Sequence, residues 1–186
     1  MHLFRAASRA QGGELNAQEA IDRLALTDLV MRYCRGIDRR DFDLVRSLYW
    51  DDAVDDHGEM FCGSPDEYVA WLPTVLEPLD CTVHAISNSF FVIDGDIAEG
   101  EHYSVNFHRT RAEPRQEIII HGRYLDRYER RDGVWKFARR KIVFDHGYVH
   151  PVKEEGLAQA GADAPHGSDD RNDPSWSFPL LAGAAK

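Results

Sequence analysis

The chain has 186 residues, of which 43% are hydrophobic and 29% charged, and it carries a formal net charge of −10. A single domain of this size buries about 70% of the surface its unfolded chain exposes, so a substantial core is within reach. The acidic balance argues against nucleic acid and anionic membrane surfaces as partners, because both are bound through concentrated Lys and Arg. No apolar run reaches the roughly 18 residues of a spanning helix. The N-terminal MHLFRAASRAQGG lacks the apolar middle of a secretory signal. Cys34, Cys62 and Cys81 are scattered and odd in number, which gives neither a disulfide framework nor a zinc signature. The expectation is a cytoplasmic protein.

Residues 1–15, rich in Gly, Ala, Ser and Arg, read as a loose arm. Asn16 can then cap a helix, and Glu19 three residues on can complete a capping box. Leu26, Val30, Tyr33 and Ile37 recur at spacings of four, three and four, which makes one apolar stripe and turns Tyr33 inward. Gly36 and Asp38 mark the end of this helix. A short second helix is predicted from about Asp41 to Tyr49, burying Phe42, Val45 and Leu48 or Tyr49. A third begins at Ser64-Pro65-Asp66-Glu67, an N-cap, a proline at the first helical position and a capping-box acid in order. Pro73 is expected to bend or break it.

After Asp80 the period changes from helical to alternating, and 82–93, 97–109, 117–129 and 134–149 read as four long strands. Asp94-Gly95-Asp96 and Asp132-Gly133 supply turns in which φ can be positive, and 110–116 is a longer polar loop. Helices first and antiparallel strands afterwards is the α+β pattern, with three helices packed on one face of a curved, mostly antiparallel sheet. The domain spans 16–149. From 150 to 186 the periodicity is lost, but Trp176, Phe178 and Leu180 are apolar enough to dock on the chain's own body or on a neighbouring subunit.

The chemistry-bearing residues each admit two readings. His84 is either a core histidine satisfied by one hydrogen bond, or a base whose Nδ1 is oriented by Asp38 so that Nε2 faces an acidic C–H. Asp38 is either a turn residue or that partner; Asp41 and Asp43 are available for capping, and a carboxylate beside a buried stripe needs a counterpart. Arg140 either makes a structural salt bridge or stabilises a leaving group or oxyanion. On strict alternation Arg140 shares a face with Ala138, Ile142, Phe144 and His146, which leaves Phe137 outward beside Arg139 and Lys141. Tyr33 is core or a hydroxyl donor to substrate oxygen. His57 lies in DDAVDDHG, whose carboxylates read as a solvated turn and not as a metal site. His102 and His108 share a strand face but lie about 20 Å apart, too far for one ion. No GxSxG, phosphate-binding loop or dinucleotide fingerprint is present, so no cofactor is implied.

Three pieces in order, LVMRYCRGIDRRDFDLVRSLYWDDAVDDHG, TVHAISN and GRYLDRYERRDGVWKFARRKIVFD, resemble the SnoaL-like branch of the nuclear transport factor 2-like superfamily over roughly residues 17–149. The resemblance implies a cone-shaped, cystatin-like fold and a homotrimer. It also implies a cofactor-free elimination on an apolar hydroxylated aromatic or polycyclic small molecule. Asp38 and His84 match the branch's Asp-His dyad, Arg140 its pocket arginine, and Tyr33 a tyrosine of one of its dehydratases. His57 falls near a pocket tyrosine of relatives. Trp50, Trp71, Phe107 and Phe144 are the candidates for lining the cavity. Ser104, Asn106 and His108 occupy the region where relatives carry further polar site residues. Two alternatives stand beside the dehydratase reading. One is a lyase releasing formaldehyde from a phenolic substrate. The other is a non-catalytic cone, such as the small subunit of a ring-hydroxylating dioxygenase. A dyad beyond about 4 Å that no rotamer could close would favour the non-catalytic cone.

Overall fold

A computed structural model of the chain describes residues 16–153 and 164–178. The arm at 1–15 and the end of the tail, including Leu180, lie outside the described residues. In order the elements are α1 (Ala17–Asp38), α2 (Phe42–Ser47), β1 (Tyr49–Asp56), β2 (Cys62–Gly63), α3 (Pro65–Leu76), β3 (Leu79–Asp94), β4 (Ile97–Thr110), β5 (Gln116–Arg131), β6 (Val134–Pro151) and α4 (Pro174–Ser177). The strands form one six-stranded sheet in the order β2-β1-β6-β5-β4-β3. Among the described residues only the β1–β6 pairing is parallel; the other neighbours run antiparallel. The architecture is α+β, with helices on one face of a curved sheet. No helix among the described residues is long and apolar enough to cross a membrane.

Local chemistry explains the helix boundaries. The Asn16 side chain accepts the Glu19 N–H at 2.8 Å and starts α1. Ser64 and Glu67 form a reciprocal capping box at the start of α3. The stripe Leu26, Val30, Tyr33 and Ile37 is buried throughout. Pro73 does not end α3, which runs on to Leu76; the Glu77 N–H closes onto Pro73 O at 2.9 Å, so the turn beyond the proline is satisfied. Tyr49 belongs not to α2 but to β1.

That strand is the main departure from the sequence reading, which placed a solvated turn at 51–58. Asp55 is completely buried, and the Tyr49 hydroxyl donates to its Oδ2 at 2.6 Å. Asp56 sits at the edge, with Arg139 and Lys141 each 3.5 Å away. The dense carboxylates therefore divide between the two faces of a strand, each meeting its own partner.

A bulge corrects the expected facing of β6. Arg127 pairs with Arg139 and Tyr128 with Phe137, which leaves Ala138 as the extra residue. Phe137 and Arg140, both fully buried, therefore face the helices together, while Arg139 and Lys141 point outward. A second irregularity near Asp145 pairs His146 with His121, which moves His146 to the outer face. Phe144, opposite Gly122, keeps the expected facing.

Candidate active site

Asp38 is the last residue of α1 and His84 lies on β3, whose residues alternate between the helix-facing and outer surfaces. His84 Nδ1 lies 2.6 Å from Asp38 Oδ1, and the second carboxylate oxygen accepts the His84 backbone N–H at 3.0 Å. Both side chains are largely buried, 11% exposed for His84 and 14% for Asp38. A carboxylate only accepts, so Nδ1 carries a proton, and in the neutral ring the lone pair is on Nε2. Nε2 has no hydrogen-bond partner among the described residues.

Around this pair the helix-facing side of the sheet is unusually polar. Thr82, Ser104 and Asn106 are buried there, and Asn106 is the cross-strand neighbour of His84. The His108 ring stands edge-on to His84 with centroids 5.5 Å apart. Its Nδ1 is buried without a partner among the described residues. Burial, reinforced by His84 and opposed by Asp38, pushes the His108 pKa down to about 4, so the ring is neutral at ordinary pH. His108 and Asn106 are the functional candidates to which the sequence reading gave no role. Their signal was their place in the region where relatives carry further polar site residues.

Tyr124 leads from this polar row to the other predicted residues. Its hydroxyl donates to Asn106 Oδ1 at 3.4 Å, and its ring lies 6.0 Å from that of Tyr33. The Tyr33 hydroxyl meets that of Tyr68 at 2.6 Å. Burial, then the nearby Asp55 charge, pushes the Tyr33 pKa up, so its phenol keeps its proton.

Arg140 is fully enclosed. Its Nε and Nη2 donate to Asp126 at 2.8 and 2.7 Å. Its guanidinium carbon lies 4.0 Å from the Tyr33 ring centroid, 4.3 Å from that of Phe137 and 4.4 Å from that of Tyr124. Burial opposes the charge, but Asp126 prevails and holds the pKa well above the ordinary value. One nitrogen, Nη1, is buried with no hydrogen-bond partner among the described residues. Asp126 also accepts from Tyr128 at 2.8 Å, and Tyr128 meets His102 Nε2 at 2.8 Å. His102 therefore belongs to a structural network behind Arg140.

The remaining candidates divide. His57 stacks on Tyr68 with centroids 5.3 Å apart, and its Nε2 approaches Asp55 Oδ1 at 2.8 Å without hydrogen-bond geometry. Trp71 stacks on Phe61 at 5.1 Å beside His57. These rings form an aromatic wall joined to Tyr33 through Tyr68. Phe144 stands on the helix-facing side but is 66% exposed. Phe107 does not join the site: His84 pairs with Asn106, so Phe107, one residue on, lies on the outer face against Val83 and Ile119. Trp50 does not join it either. Its Nε1 donates to Glu129 O, nine residues along β5 from Ile120 in the His84 row, about 30 Å away at strand spacing.

Near the end of α1, the segment 164–178 lies against the body. Asp169 pairs with Arg111 at 2.7 Å and Arg40 at 3.5 Å, and Asp173 with Arg39 at 3.5 Å. Trp176 sits between Arg171, 3.8 Å from its ring centroid, and Arg35, 5.2 Å away. Phe178 is exposed.

Residues 18–141 match the family model described as a SnoaL-like domain. The gamma-hexachlorocyclohexane dehydrochlorinase of Sphingobium indicum is 29% identical over 129 residues, 67% of this chain and 81% of that protein. A solved type 2 hexachlorocyclohexane dehydrochlorinase superposes with a TM-score of 0.64 at 28% identity, covering 73% of this chain and 91% of that one. A Nostoc punctiforme protein with a cystatin-like fold, 21% identical, shares the fold with a TM-score of 0.58 over 72% of this chain and 96% of its own.

Proposed function

This chain belongs to the SnoaL-like domain family, and from that premise we propose that it is a cofactor-free lyase whose base is His84 oriented by Asp38. The observation that carries the reading is the 2.6 Å contact between His84 Nδ1 and Asp38, which leaves Nε2 unpartnered on the polar side of the sheet. The separation is well inside the 4 Å at which a non-catalytic cone becomes the better reading. The curated dehydrochlorinase relative supports an elimination.

In the proposed reaction Nε2 removes a proton from a carbon of the substrate. The C–H electron pair becomes a carbon–carbon double bond, and the neighbouring carbon loses hydroxide or halide with its bonding pair. Asp38 stabilises the imidazolium once the proton arrives, and general-base catalysis of this kind contributes about 10²–10⁴ in rate. Arg140 Nη1, buried and unpaired, serves the departing or developing anion, while its other two donors stay on Asp126. Tyr33 lines the same end of the site. The substrate is an apolar hydroxylated or halogenated molecule, aromatic or polycyclic, held against Tyr33, Tyr68 and Trp71.

We further propose a homo-oligomer, a trimer, formed through the outer face of the sheet. Val83 (46% exposed), Tyr103 (46%) and Val105 (36%) stand there together with Phe107.

The test is a mass-spectrometric screen of hydroxylated and chlorinated aromatic and steroid-like compounds, scored for loss of water, hydrogen chloride or formaldehyde. Loss of water or hydrogen chloride that is abolished in His84→Ala supports the reading. No turnover across the panel, or turnover that survives in His84→Ala, sinks it.

A further inference from the structure

The geometry assigns Arg40 as a positioning residue: its guanidinium fastens the helix end that carries Asp38 to the strand that carries His84. The role rests on reading that pair as the base, but its test does not depend on turnover.

Two hydrogen bonds close the end of α1, from the Asp41 N–H to Gly36 O at 2.8 Å and from the Arg40 N–H to Ile37 O at 3.3 Å. This is the Schellman arrangement, and it needs a left-handed residue directly after the C-cap. Glycine usually fills that position, because a side chain there costs about 1–2 kcal/mol. Here the position is Arg40, with φ at +53°.

The side chain explains why an unfavourable residue is placed there. Nη2 donates to Leu76 O at 3.1 Å and to Leu79 O at 3.5 Å, while Nη1 reaches Thr82 Oγ1 at 3.5 Å. Nη2 also lies 3.5 Å from Asp169 Oδ2 of the C-terminal segment. Leu76 ends α3, Leu79 begins β3, and Thr82 lies two residues before His84 on the same face. One planar fork therefore spans the end of α1, the end of α3, the start of β3 and the tail. Asp38 and His84 lie 46 residues apart in sequence, so no local geometry fixes their distance. Catalytic geometry is sensitive on this scale, and a misplacement of about 1 Å can cost a hundredfold in rate.

Glycine at this position would relax the backbone and remove only the fork, which separates positioning from folding. The experiment is nitrogen-15 NMR of the His84 imidazole, assigned by its disappearance in His84→Asn, at a pH above the histidine titration range. Wild-type protein is expected to hold the Nδ1–H tautomer that Asp38 selects. In Arg40→Gly that signal is expected to lose its dominance to the Nε2–H form, with the melting temperature preserved, and added guanidinium is expected to restore it. Arg40→Lys, which keeps the charge and the backbone strain but not the fork, should show the same loss in part. A wild-type tautomer ratio in both variants overturns the assignment, as does a wild-type protein not dominated by Nδ1–H. Protein with the expected tautomers but no elimination activity would sink the lyase reading alone and leave the role of Arg40 standing.

Discussion

Asp38 holds His84 at two points, the ring Nδ1 at 2.6 Å and the backbone N–H at 3.0 Å, so one carboxylate fixes both the tautomer and the strand position. Asn at position 38 can still accept the backbone N–H through its carbonyl. Its amide then presents N–H to Nδ1 and forces the proton onto Nε2. Asp38→Asn is therefore expected to lower turnover by about 10²–10⁴ with an unchanged circular dichroism spectrum, as is His84→Ala. Steady-state rates on any substrate found in the screen, beside a thermal melt, check this. A loss of stability that parallels the loss of rate would return both residues to the core.

Arg140 and Asp126 are both fully buried, and each is the other's main counter-charge. Breaking such a pair from one side strands a charge without water. Asp126→Ala is expected to destabilise the protein by about 3–5 kcal/mol in urea titration. Replacing both partners, Asp126→Leu with Arg140→Met, should recover much of that loss while removing activity.

His102 and His108 are each pushed down to about 4, first of all by burial, whereas an unfolded histidine titrates near about 6.5. Between those values the unfolded chain binds protons that the folded chain refuses. Stability is therefore full above about pH 6.5 and falls as the pH drops towards about 4. Urea midpoints measured across that window should decline with acid, and His108→Leu should flatten part of the slope.

A Cβ on Gly122 would lie 2.5 Å from Val143 O of the neighbouring strand. That obstacle is backbone, so it cannot turn aside as a side chain would. Gly122→Ala is expected to cost about 1–3 kcal/mol and to disturb the β5–β6 pairing next to Phe144. Chemical denaturation measures the cost.

A trimer joined by the outer sheet face should come apart when a charge is placed within it. Light scattering of Val105→Glu is expected to give one third of the wild-type mass, with the His84 tautomer unchanged. A wild-type monomer would remove the oligomer proposal.

Helices α1 and α3 and the four long strands were legible because each carries a strong local signal: Asn16, the Ser64-Pro65-Glu67 start, the stripe through Tyr33, and the glycine turns at 95 and 133. β1 was not legible. Four aspartates within 51–56 read as solvated, which Asp51 and Asp52 are, whereas Asp55 and Asp56 find Tyr49, Arg139 and Lys141 as partners only in the fold. The facing of β6 failed for a related reason: a bulge at Ala138 is a property of pairing with β5, and strict alternation cannot carry it. At the site, Asp38 and His84 were named through a family likeness, while Arg40 gained a role only when strands and helix ends were set side by side. Trp50 and Phe107 are large rings, and residue type does not report which face or which end of the sheet a ring occupies.

The last strand of the described residues lies in the middle of the sheet, with β1 on one side and β5 on the other. During synthesis, β1 and β2 leave the ribosome some eighty residues ahead of the edge they must join, Phe137–Lys141 of β6. The hairpins β3–β4 and β4–β5 can close early, but the Arg140 that completes the buried centre comes only with that final strand. A chain stopped short of it would expose both halves of an unfinished sheet, which join only when β6 is in place.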